Sequence, residues 1–247
     1  MTDKPQAIAA LNSKFEICGN LDTPGLAVNY KPYINYSQRE TTCDQTRLET
    51  FLDTLDLAGK RILHIGIGNS SFAERFNNHD ALIEGITISE EEYVHALSLG
   101  LDNYKVHTAN KYSREFLLKF KQHQFDIIVD NNLASFACCK YHLYSMFDNY
   151  LWCLKPAGRI LTDQRGMDWA LLDPSLILDF AGLTELVANL PLKAIKMTPT
   201  VYALDSRIMV NRDQECQTDK IKLRVHALRR DKKQLYVESF EPELDKA

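Results

Sequence analysis

Arg61-Ile-Leu-His-Ile-Gly-Ile-Gly-Asn-Ser70 is the stretch on which the reading of the whole chain turns. A short apolar run ends at Gly66, which suits a strand covered on both faces rather than one with a wet side. Gly66 and Gly68 then let the backbone turn sharply and come close to a ligand. The free N–H groups of the helix expected next, through Phe72 and Phe76, can hold a carboxylate or phosphate. Strand, glycine turn and helix together predict a binding loop at the carboxyl end of a buried strand.

The same alternation repeats outward from this stretch. Leu48, Phe51, Leu52 and Leu55 recur at helical spacing before it, with Gly59 as the expected stop. After it come a strand over 81–88 and a helix opened by a Ser89/Glu92 capping box and closed by Gly100. A third strand, 104–108, precedes a helix over 114–121, and a fourth, 125–130, precedes one over 141–154. Lys155-Pro-Ala-Gly158 reads as a turn into a fifth strand, 159–162, and 174–189 as a helix. The last stretch holds β-like runs over 192–204, 221–229 and 235–240, with a polar loop over 211–220. Such repetition predicts an α/β fold: a Rossmann-like, doubly wound, mostly parallel seven-stranded sheet with an antiparallel C-terminal strand. Its ligand site lies beyond the carboxyl ends of the strands, where strand order reverses. Residues 1–43, with Pro5, Pro24 and Pro32 and no sustained periodicity, read as an N-terminal lid or extension, and 44–247 as one domain.

The 247 residues are 45% apolar and 25% charged, an ordinary globular composition. Lysine and arginine number 29 against 33 acidic residues, so the basic excess expected of a general nucleic-acid binder is missing. No apolar run approaches a membrane span, and the polar start Met1-Thr2-Asp3-Lys4 does not read as a secretory signal. Six cysteines fall without zinc-ligand spacing. A cytoplasmic protein with reduced thiols is the expectation.

Over roughly residues 44–165 the chain resembles the class I S-adenosylmethionine-dependent methyltransferases. The resemblance rests on Leu63-His-Ile-Gly-Ile-Gly-Asn-Ser70, Phe125-Asp-Ile-Ile-Val-Asp130 and Leu154-Lys-Pro-Ala-Gly-Arg-Ile-Leu161, in that order. Gly85-Ile-Thr-Ile-Ser89 is similar to the Gly-Leu-Thr-Leu-Ser version of the cyclopropane-synthase and related small-molecule branches. The resemblance implies methyl transfer from S-adenosylmethionine to a small-molecule acceptor on oxygen or nitrogen, leaving S-adenosylhomocysteine. It implies that His64, Gly66, Gly68 and Asn69 border the methionine portion of the cofactor. Thr87, Ile88 and Ser89 would lie at the ribose, Asn110 at the adenine edge, and Asp130 and Asn131 near the sulfonium and the incoming acceptor.

The departures from the family pattern are specific. His64 stands where an acid is usual, Thr87 stands at the ribose acid, Asn110 at a frequent aspartate, and Ser70 replaces the third glycine. A hydrogen bond to a charged group contributes about 1.5–3 kcal/mol, so these losses bear on binding a cationic cofactor. Glu92 either restores one contact or serves only the capping box. Asn131 and Asn132 stand where metal-dependent relatives carry paired acids, so no metal is expected. His142 could act as a general base, or sit as a histidine among aromatic residues. Tyr30, Tyr33 and Tyr36 recur every three residues around Pro32, and with Asn132 and Gln164 they form the expected acceptor side. Asp163 and Arg165 would also border that pocket. A homodimer is compatible with the sequence. The alternative is a methyltransferase-fold protein that holds cofactor structurally, assists a rearrangement or serves as a partner subunit. A dinucleotide oxidoreductase lacks its third glycine and its acid at the second strand.

Overall fold

The quoted stretch forms β1 (Arg61–Ile65) at the middle of the sheet. It pairs in parallel with β2 (Leu82–Thr87) on one side and β4 (Phe125–Asp130) on the other. The structure is a computed structural model and describes residues 35–113, 116–137, 140–170 and 174–207. With β3 (Tyr104–Thr108), β5 (Leu154–Asp163), β6 (Leu192–Lys196) and β7 (Val201–Ser206), the strand order is β3-β2-β1-β4-β5-β7-β6. The first five strands are parallel, and β7 runs antiparallel to β5 and β6. The doubly wound, mostly parallel seven-stranded sheet expected from the sequence is present.

Alternation along the strands builds two cores, one on each face. Leu63, Ile65 and Ile128 pack with α5 (Lys140–Cys153), while Ile62, Ile127 and Val129 pack with α1 (Cys43–Leu52) and α2 (Ser71–Phe76). Arg47 fixes α1 to the sheet through both oxygens of the fully buried Asp163, at 2.9 and 2.5 Å. Strand order reverses between β1 and β4, and the register sets Ile65 level with both Ile86 and Asp130. A crevice at that end is where an open α/β sheet takes its ligand.

Three elements differ from the expectation. The turn over 155–158 is absorbed into β5, where pairing with β4 jumps from Phe125↔Leu154 to Ile127↔Arg159 and Ala157 adopts a left-handed φ of 59°. The helix over 174–189 is a 3-10 turn, Pro174–Leu176, followed by α7 (Phe180–Leu186). Asp179 causes the restart by accepting the Gly182 amide at 2.7 Å, a local bond that competes with helix continuation. The run over 192–204 is the β6–β7 hairpin, because Thr198 Oγ1 accepts the Val201 amide at 2.9 Å and folds the chain at Pro199. The runs over 221–229 and 235–240 and the loop over 211–220 lie outside the described residues.

One glycine is fixed by proximity. A Cβ on Gly166, in α6 (Gln164–Met167), would lie 1.9 Å from the Asn131 carbonyl oxygen. Backbone cannot yield as a side chain can, so Gly166→Ala is expected to lose about 3 kcal/mol, the upper end of overpacking costs. Urea denaturation reads this, and a loss below about 0.5 kcal/mol would show that the turn moves freely.

Candidate functional site

A cavity of about 720 Å³ opens at the carboxyl ends of β1, β2 and β4. Gly66 (φ 75°) and Gly68 (φ 52°) shape its floor, and a Cβ on Gly66 would meet no atom within 4 Å. Ser70, at the third-glycine position, adopts the left-handed φ of 61° itself and begins α2. Facing the loop is a segment the sequence placed only vaguely: residues 36–45 run across the cavity and are tied to its walls. Tyr36 donates its amide to Glu92 Oε1 at 3.0 Å, and Asn69 Nδ2 donates to the Arg39 carbonyl at 2.9 Å. Thr41 Oγ1 meets Ser71 Oγ at 2.6 Å, and Asn131 Nδ2 donates to Asp44 Oδ2.

The ribose position is built by an exchange of partners. Ser89 Oγ accepts the Glu92 amide at 3.3 Å, which is one half of the capping box. The Ser89 amide, however, donates to Thr87 Oγ1 at 3.0 Å, and the Thr87 hydroxyl donates to Glu92 Oε2 at 2.6 Å. Glu92, in α3 (Glu90–Ser98), therefore carries its carboxylate to the end of β2, where the sequence shows only Thr87.

Asp130 is held from several sides. Lys111 Nζ lies 2.9 and 3.2 Å from its two oxygens, the Tyr150 hydroxyl donates at 2.6 Å, and the Asn132 amide donates at 3.1 Å. Lys111 also donates to the Asn132 carbonyl at 2.5 Å. Burial draws the Lys111 ammonium below its ordinary value, and Asp130 opposes that shift. His64 lines the cavity, stacks on Phe72 at 4.3 Å, and finds no hydrogen-bond partner for either ring nitrogen among the described residues. Burial pushes it down to about 3, so it is neutral at pH 7.

The cavity wall thus brings together His64, Gly66, Gly68, Asn69, Thr87, Ile88, Asn110, Asp130, Asn131, Asn132 and Tyr36. It does not include His142, Ser89 or Gln164. His142 is fully buried and lies edge-on to Tyr112 at 5.8 Å, behind the cavity wall rather than on it. Ser89 is used to cap α3, and Gln164 accepts the Tyr202 hydroxyl at 3.2 Å beside β7. Asn69 and Asn110 border the cavity with their side chains engaged, Asn110 Oδ1 taking the Tyr112 amide at 2.9 Å. Tyr30 and Tyr33 lie outside the described residues. Sequence reasoning missed Asp44, Lys111, Phe136 and Trp169. Only an apolar-to-charged change next to Asn110 and an aspartate at the start of a helix could have signalled the first two. Among the described residues no group of three or more His, Cys, Asp or Glu could hold a metal ion, and no helix is long and apolar enough to cross a membrane.

No protein-family model matches the chain, and no curated protein matches it in sequence. Solved structures do match. The carbon methyltransferase CurJ aligns at TM-score 0.53 and 12% identity, over 82% of this chain and 70% of its own. The N-methyltransferase NodS from Bradyrhizobium japonicum aligns at 0.52 and 14%, over 66% and 97%. An S-adenosylmethionine-dependent methyltransferase from Mesorhizobium loti aligns at 0.50 and 15%, over 66% and 97%. The fold is that of the class I S-adenosylmethionine-dependent methyltransferases. A match to a chain from Galdieria sulphuraria spans 63% of that chain and 62% of this one, at TM-score 0.48 and 14% identity. Asp44 and Glu92, beside Glu40 and Asp130, bring carboxylates to the cavity wall, while the ends of β1 and β2 bring none.

Proposed function

We propose that the cavity binds S-adenosylmethionine and that the protein transfers its methyl group to a small-molecule acceptor on oxygen or nitrogen. The observation that carries this reading is the Glu92 carboxylate set on Thr87 at the end of β2, opposite a glycine loop with room above it. When bound, the cofactor supplies an electrophilic methyl group on a sulfonium. Glu92 offers the acceptor oxygens suited to a diol, Gly66 and Gly68 allow close backbone approach, and Asn110 borders the far end. Asn131, fixed by Asp44, orients the acceptor, and the segment over 36–45 excludes water from the reacting atoms. Positioning and desolvation of this kind supply much of the acceleration in an in-line displacement, so no strong base has to line the site.

Calorimetric titration with S-adenosylmethionine, S-adenosylhomocysteine and NAD tests the cofactor. Both sulfur compounds are expected to bind and NAD is not; failure of both sulfur compounds sinks the reading. Glu92→Gln keeps the shape and removes the charge, and is expected to weaken both by about 10-fold, as loss of a charged hydrogen bond should. A change below 2-fold would show that Glu92 serves the fold and not the cofactor. Transfer of labelled methyl to acceptors tests the activity. The second reading, cofactor held without transfer, is favoured by the engagement of Asp130 with Lys111 and Tyr150, and binding without transfer to any acceptor class would establish it.

A further inference from the structure

Among the described residues, Asp44 and Arg165 on the cavity wall form no ion pair with a side chain of opposite charge. Asp44 is only 8% exposed and lines the cavity, yet the partner of its carboxylate is a neutral amide, Asn131. Taking a carboxylate out of water without a cation costs several kcal/mol, and a bound cation recovers it. Arg165 also lines the cavity, exposed; its Nη1 lies 2.9 Å from Cys43 Sγ, and no carboxylate pairs with it among the described residues. Arg165 and Asp44 thus share the cavity wall, and Arg165 is anchored there on the residue that precedes Asp44 in the chain. The other charges deep in the cavity are engaged, Lys111 with Asp130 and Glu92 with Thr87 and the Tyr36 amide. Beside Arg165 the wall is apolar, with Trp169 and Phe136 packed edge to face at 5.8 Å and Trp169 38% exposed.

We propose that this side of the cavity recognises a small zwitterion, an amine and an acid group on one molecule, with the amine on Asp44, the acid on Arg165 and an apolar part against Phe136 and Trp169. The inference deepens the methyl-transfer reading and rests on it, since it names the acceptor class. A guanidinium matches a carboxylate or other planar acid with two parallel hydrogen bonds, and an ammonium suits a single carboxylate oxygen. The same chemistry occurs in the amino-acid tail of the cofactor, so the test has to separate the two sources.

Protein saturated with S-adenosylhomocysteine is titrated calorimetrically with three probes that share a phenyl ring: phenylalanine, phenethylamine and 3-phenylpropanoate. Phenylalanine is expected to bind at least 10-fold more tightly than either of the others. Asp44→Asn, which keeps the hydrogen bond to Asn131, is expected to bring phenylalanine to the level of 3-phenylpropanoate. Arg165→Gln, at an exposed position, is expected to bring it to the level of phenethylamine, and Arg165→Lys to restore part of the preference. Equal binding of the three probes overturns the proposal. So does a 10-fold loss of S-adenosylhomocysteine affinity in either charge-removing variant, because the pair then holds the cofactor's own tail. Absence of S-adenosylhomocysteine binding to the unaltered protein overturns the cofactor reading instead, and the three probes on ligand-free protein then decide the zwitterion reading by themselves.

Discussion

Replacing Lys111 with methionine is expected to cost about 3–5 kcal/mol of folding stability, because it leaves the buried Asp130 without its cation. Tyr150 and the Asn132 amide still donate to that carboxylate, but neither carries a charge to set against it. The pair itself is a different matter. Two charges withdrawn from water lose most of what their attraction returns, so removing both is far milder than removing one. Lys111→Met combined with Asp130→Asn is therefore expected to recover at least half of the loss. Urea unfolding of the two single variants and the double variant at pH 7 provides the cycle. A single-variant loss below about 1 kcal/mol would mean that water reaches Asp130 and the pair is not the keystone of this end of the sheet.

Acidification should expose the other buried group. Unfolded chains protonate histidine near 6.5, whereas burial holds His64 down at about 3. Below pH 6.5 the unfolded state therefore takes up a proton that the folded state refuses. Stability is full above that point and falls by about 1.4 kcal/mol per pH unit on the way down, a loss of about 2 kcal/mol by pH 5. His64→Phe is expected to remove this share of the slope. It should also equal or exceed the unaltered protein in stability at pH 7, since two unpaired ring nitrogens are exchanged for carbon in a site already stacked on Phe72. Denaturant midpoints at pH 7, 6 and 5 for both proteins measure it. Parallel curves would show that water or a neighbour satisfies the ring.

The fold was legible because its signals are local. Gly66 and Gly68 after an apolar strand, and the run Phe125-Asp-Ile-Ile-Val-Asp130, each state a conformation within a few residues, and their order states the topology. What failed also failed for a local reason. Nothing near Asp179 or Thr198 in the hydrophobic pattern announces that an oxygen will capture a nearby amide and end an element. Lys155-Pro-Ala-Gly158 has turn composition, and the turn is there, but as a bulge within a strand that continues on either side. The cavity wall was legible where strand ends and the loops after them set it, at His64, Thr87, Asn110, Asp130 and Asn131, but the partners of its side chains were not. Its side chains act across 87 residues in Asp44–Asn131 and 56 in Tyr36–Glu92, and spacing along a chain does not encode such pairs. His142 shows how burial enters: its chemistry and address can be read from the sequence, but not that its ring is fully buried against Tyr112.

The segment over 36–45 leaves the ribosome before every wall it will lean on. Asp44 emerges 87 residues ahead of Asn131, which at about 5–20 residues per second is an interval of roughly 4–17 s. Until β4 is made, the cavity lacks the wall that pairs beside β1, so a chain truncated before residue 125 would lose Asp130 and Asn131 together with the strand that carries them there.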